Sequence, residues 1–100
     1  QFIFHGYSPI QVAEQKKWIL YLFVGPWHNY THSFIETPYR SDKLFNFLTS
    51  TLHDYIRLCV AANLHNPEEK VMTKTIAEWK KTKITWGKVP VVWVLSRQTL

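Results

Sequence analysis

One hundred residues with 46% hydrophobic content suit one domain that buries a single core. The longest uninterrupted apolar run, Trp18–Val24, is far too short to cross a bilayer, and no basic–apolar–small-residue leader can be read, so no membrane insertion is expected. The formal charge of +5 directs attention to anionic partners, while the lone Cys59 cannot form an internal disulfide and favours an intracellular compartment.

The charge is uneven. Residues 1–66 hold five Lys/Arg against four Asp/Glu, and residues 67–100 hold seven against three. The chain opens on Gln1 with residues that already resemble a strand. That start suggests a single domain, 1–100, cut from a larger protein whose flanks carry the decisive motifs.

Gln1–Tyr7 alternates Phe2 and Phe4 with Ile3 and His5, which predicts a short strand ending at Gly6. Ser8-Pro9 then offers a capping side chain and a first-turn proline for a helix. Two readings follow for the next stretch. Gly25-Pro26 would stop one helix running from Pro9 to Val24. Alternatively, the aromatic and β-branched WILYLFV run suits a strand covered on both faces, and a short helix to about Lys16 followed by a central strand at 18–24 is the expectation. Residues 25–40 carry two prolines among Trp27, Tyr30, Phe34 and Tyr39. They predict a long ordered loop in which Ser33–Glu36 pairs briefly as a strand.

Residues 41–64 look like the organising element. Leu44, Leu48, Leu52, Tyr55 and Cys59 fall three or four apart, flanked by Phe45, Ile56, Val60 and Leu64, as on the apolar stripe of a long helix. Ser41 would cap it, and Asp42 would sit at its positive end. Asn66-Pro67-Glu68-Glu69 predicts a second helix running to about Lys81, with Met72, Ile76 and Trp79 on one face and Lys70, Lys74 and Lys81 opposite. Finally, Ile84–Trp86 and Val89–Leu95 read as strands about Gly87-Lys88, with Pro90 pointing to a sheet edge. The predicted order is β-α-β-loop-α-α-β-β. This is a small α+β domain, a mostly antiparallel sheet packed against two main helices.

Motifs for chemistry are sparse. His28 and His32 form an H-x-x-x-H pair, and Cys59 and His65 complete a nominal ligand set, but no C-x-x-C accompanies them. Cys59 belongs to the face expected to be buried, which argues against a nucleophile. His53 and Asp54 are sequence neighbours and diverge on a helix. There is no G-x-S-x-G and no phosphate loop. The expectation leans to a domain without catalytic residues, cofactor or metal of its own, with an enzyme domain whose remaining residues lie outside these 100 as a third reading. Asn29-Tyr30-Thr31 matches a glycosylation pattern too short to carry weight.

The basic residues Lys70, Lys74, Lys80, Lys81, Lys83 and Lys88 form the leading candidate surface. Clustered ammonium groups bind phosphates through counterion release. The expected function is therefore a non-catalytic, nucleic-acid-contacting module. Its rival is a protein–protein module whose contact surface is Trp27, Tyr30 and Tyr39 in the 25–40 loop. Ile84-Thr85-Trp86-Gly87-Lys88-Val89-Pro90, following a helix, also resembles a helix–strand–turn segment in the connection subdomain of lentiviral reverse transcriptases. That resemblance covers little more than a dozen residues, and it implies a supporting role beside a template–primer channel and a subunit interface.

Overall fold

The computed structural model describes residues 2–9, 11–24 and 28–97. Its elements in chain order are β1 (Phe2–Tyr7), α1 (Val12–Val24), β2 (Thr31–Glu36), a 3-10 turn (Pro38–Arg40), α2 (Ser41–Thr51), β3 (Ile56–Ala62), β4 (Lys70–Thr75), α3 (Ile76–Lys80) and β5 (Val91–Arg97). The strands form one five-stranded sheet in the order β1-β2-β5-β3-β4. β1 runs parallel to β2 across the α1 crossover, and every other pairing is antiparallel. The expected α+β class and mostly antiparallel sheet are what the structure has.

The core lies on one face of this sheet. Phe34, Trp93, Leu95, Ile56, Leu58 and Val60 are buried there against Ile19 and Leu22 of α1, Leu44, Phe45 and Leu48 of α2, and Ile76 and Trp79 of α3. Trp18 of α1 meets Phe34 edge-on, and the Trp79 indole donates to the Leu58 carbonyl at 2.9 Å. A Phe45–Trp79–Trp86–Trp93 chain of edge contacts ties α2, α3 and the connection before β5 to the sheet. Such rings contribute both large buried area and directional packing.

Several expected elements differ. The long helix at 41–64 ends at Thr51, where Leu52 turns to extended backbone. Residues 56–62 are instead a strand, with Ile56, Leu58, Val60 and Ala62 inward and Arg57, Cys59 and Ala61 outward. A period-2 pattern was present beneath the helical one, and tertiary pairing on both sides of β3 selected it. Ser41 is the first helical residue and makes no capping bond; its hydroxyl is buried. Asp42 keeps its first-turn place, and its carboxylate also accepts from the N–H groups of Trp86 (2.7 Å) and Gly87 (3.3 Å).

Residues 18–24 are helical, not a central strand. Ile19 and Leu22 point into the core while Leu20 and Tyr21 lie exposed, so the run covers the sheet from one side instead of joining it. Ser8 does not cap that helix, because its hydroxyl is committed to Glu36. Within 25–40, the expected brief strand is present as β2, an interior strand of the sheet.

The second long helix is replaced by β4 and the five-residue α3. Asn66–Glu69 is a turn in which Glu69 donates its N–H to the Asn66 carbonyl and its carboxylate accepts from the His65 N–H. The true helix start is Thr75, whose side chain accepts from the Glu78 N–H while Glu78 accepts from the Thr75 N–H. This is a T-x-x-E capping box, legible in the sequence as the stronger start signal than Pro67. Residues 84–86 form no strand. β5 is the central strand of the sheet, not an edge, because Pro90 precedes its first ladder residue. No helix among the described residues is long and apolar enough to cross a membrane.

Candidate functional site

β1, β2 and β3 run in the same direction, so their carboxyl ends at Tyr7, Glu36 and Ala62 meet at one end of the sheet. A cleft of about 350 Å³ opens there, its floor made by Ile35, Ala61, Val92 and Leu64 and its rim by Tyr7, Thr37 and Pro90. A second hollow of about 410 Å³ lies on the other side of Ala62 and is more polar, lined in part by Asn63, Glu68, Glu69 and Lys70. Asn63 (φ 58°) and His65 (φ 66°) hold left-handed backbone in the intervening turn, a conformation that costs free energy for any residue but glycine.

Glu36 is the most constrained polar group at this end. Its carboxylate is 2% exposed, accepts from Ser8 Oγ at 2.8 Å and from the Thr37 N–H at 2.9 Å, and lies 3.4 Å from Arg40 Nε. The E-T-P-Y-R order explains the geometry. Pro38 starts the 3-10 turn, which brings the guanidinium four residues on back over the carboxylate. One side chain thus joins the end of β1, the end of β2 and the turn into α2. With its oxygens occupied, Glu36 positions the rim and is not itself a free base.

A second polar pair lies under α1. His5 Nε2 is 2.9 Å from His32 Nδ1, with Trp18 edge-on to His5 and Phe23 edge-on to His32. Burial first, and the neighbouring His32 second, hold His5 below the ordinary imidazole value of 6.5. Of the nominal zinc set, His32 is therefore engaged with His5 and Cys59 lies on the opposite sheet face. Among the described residues no three His, Cys, Asp or Glu side chains come together as a metal site would require.

The lysines do not form the expected helical stripe. Lys70 and Lys74 project from the edge strand β4, where Lys74 donates to Thr82 Oγ1 and sits 5.3 Å from the Trp79 ring. Lys80 is paired with Asp54 at 2.7 Å. Lys81 and Lys83 are exposed beyond α3, and Lys88 lies 5.6 Å from the Tyr39 ring. The physical reason is the change of element: strand, short helix and coil aim these side chains in different directions. Of the aromatic set, Tyr39 is 80% exposed and Tyr30 half-buried, while Trp27 falls outside the described residues. Sequence reasoning missed Ser8, Glu36 and Arg40. The E-x-x-x-R spacing across a proline was the available signal.

No family model and no curated protein matches the chain. Among solved structures, the fold is similar to that in the crystal structure of the methyltransferase CobJ, with a TM-score of 0.61 and 12% sequence identity over 96% of this chain. The chain spans 41% of the CobJ chain, about two fifths of that protein's length. This likeness overturns the expectation of a non-catalytic module, whether contacting nucleic acid through the lysines or protein through the aromatic loop. The same fold occurs as part of a catalytic protein. The reverse-transcriptase reading falls with it, since Ile84–Pro90 is a connection held by Asp42 and not a strand and turn.

Proposed function

We propose that this chain is one domain of a methyltransferase, and that the sheet end bearing Glu36 forms a wall of the methyl-transfer cleft. The observation that carries the reading is the coincidence of two features. The chain shares a fold with part of the methyltransferase CobJ, and its own cleft sits where three parallel-running strands finish, a customary place for ligands in α/β architectures. The cleft volume of about 350 Å³ and its apolar floor suit a flat organic group held by backbone polar atoms at the rim. Methyl transfer asks little covalent chemistry of a protein. Donor and acceptor must be aligned and water excluded. An S-methyl sulfonium donor would supply the activated methyl group, and the remaining walls would come from another domain of the same larger protein.

The test is binding and transfer of labelled methyl from S-adenosylmethionine, offered with small-molecule, RNA and protein fractions as acceptors. Leu64 lines the cleft outside the sheet ladders, so Leu64→Trp should fill the cleft and weaken donor binding roughly tenfold or more while leaving the fold intact. Absence of donor binding and of labelled product in the polypeptide carrying this domain would sink the reading.

A further inference from the structure

β1 and β2 fall out of step at one place. Phe4 pairs with Ser33 and Tyr7 with Ile35, so His5 and Gly6 together stand against the single Phe34. Gly6 takes φ 74° to absorb the extra residue. This bulge decides where Tyr7 points. With it, Tyr7 joins the cleft beside Ile35; without it, Tyr7 would turn to the face of His5. The next residue is Ser8, whose N–H donates to the Ile35 carbonyl at 3.1 Å and whose hydroxyl donates to Glu36. β1 is an edge of the sheet, paired to β2 alone among the described strands, and an edge bulge is held by few ladder bonds. A side-chain bond supplies the missing tie. Within the bulge, His5 Nε2 lies 2.9 Å from His32 Nδ1, and the two rings stack with centroids 5.1 Å apart.

We infer that the His5–His32 pair is a proton-sensitive latch on the cleft, which positions Tyr7 and Ser8 while the two rings share one proton and lets the bulge relax when both are protonated. The bond needs one donor nitrogen and one acceptor. Two imidazolium rings offer donors only, and they set like charges at contact distance. The surroundings do not soften that repulsion for His5. From α1 the pair faces Trp18, edge-on to His5, and Phe23, edge-on to His32, and from β5 Leu95 stands opposite His32; none of these titrates. Glu14, Lys16 and Lys17 of α1 are exposed, and the charge that acts on His5 is that of His32. Burial first and His32 second therefore hold His5 below 6.5 in the latched arrangement, whereas a released, solvated ring returns to its ordinary value. The latched form binds the proton less readily and is the form present above pH 6.5. Between 6.5 and the lower folded value, each proton taken up shifts the balance toward the released form by up to about tenfold per pH unit.

The inference rests on the shape of the cleft and not on methyl transfer, because Tyr7 can be followed without any ligand. Tyr7 and Ile35 are direct cross-strand partners, so nuclear Overhauser contacts should join the Tyr7 ring to the Ile35 methyl groups at about pH 7.5. They should be lost by about pH 5, with the midpoint at which the His5 and His32 ring nitrogens titrate and with an unchanged far-UV circular dichroism spectrum. His5→Gln replaces the imidazole by an amide whose donor and acceptor do not titrate, and it should keep the contacts over the whole range. Contacts that persist in the native chain after both rings are protonated overturn the inference, as does a pair that takes up no second proton by about pH 5. Equal loss in His5→Gln overturns it too. Loss of the circular dichroism signal at the same midpoint would make the pair a support of the whole fold, and the latch is then ruled out.

Discussion

Glu36 shows how one side chain can hold a site together. Its carboxylate is nearly inaccessible and satisfied by Ser8, the Thr37 N–H and Arg40. Glu36→Gln removes the charge facing Arg40 and turns one acceptor into a donor aimed at other donors. The expected loss is about 2 kcal/mol in urea unfolding, together with faster hydrogen exchange at Ser8 and Thr37. His5 makes a second prediction at this scale. Its contact with His32 requires that one ring nitrogen donate and the other accept, which two imidazolium ions cannot do. Since burial lowers the folded-state value from 6.5, the unfolded chain takes up the proton first as pH falls. The His5 contribution is therefore complete above pH 6.5 and lost as pH drops through the lower folded value. The thermal midpoint should fall between pH 7.5 and 5 in the native chain, and less steeply in His5→Gln.

Among the elements, β1 depends most on a single backbone torsion. Gly6 at φ 74° has open space where a Cβ would stand, so Gly6→Ala would meet no clash and the cost is purely conformational. An expected loss of about 1–2 kcal/mol follows from forcing an L-residue into the left-handed region. If that strain is relieved by returning β1 to regular pleating, Tyr7 loses its pairing opposite Ile35, which depends on the register shift after Phe4, and turns to the face of His5; altered Tyr7 accessibility to nitration would detect the change. The two elements most easily misread, 41–62 and 66–80, share a cause. Both have apolar residues compatible with periods of 2 and 3.6, and the local signals at His53-Asp54 and Asn66-Pro67 do not say which period continues. Cross-strand partners from β4 and β5 resolve β3, and they come from parts of the chain 8 to 41 residues away.

At the scale of the whole molecule, the three helices of the described residues all pack on the same face of the sheet. Composition and pattern alone determined a single core, an α+β class, strands near both ends and a brief strand at Ser33–Glu36, because these follow from local periodicity and from the amount of hydrophobic surface to be buried. The cleft at the ends of β1, β2 and β3, the Ser8–Glu36–Arg40 cluster and the His5–His32 contact were decided only by the tertiary structure. Each joins residues distant in the chain, and the strand order that joins them is fixed by which edges pair, a choice with no local signature.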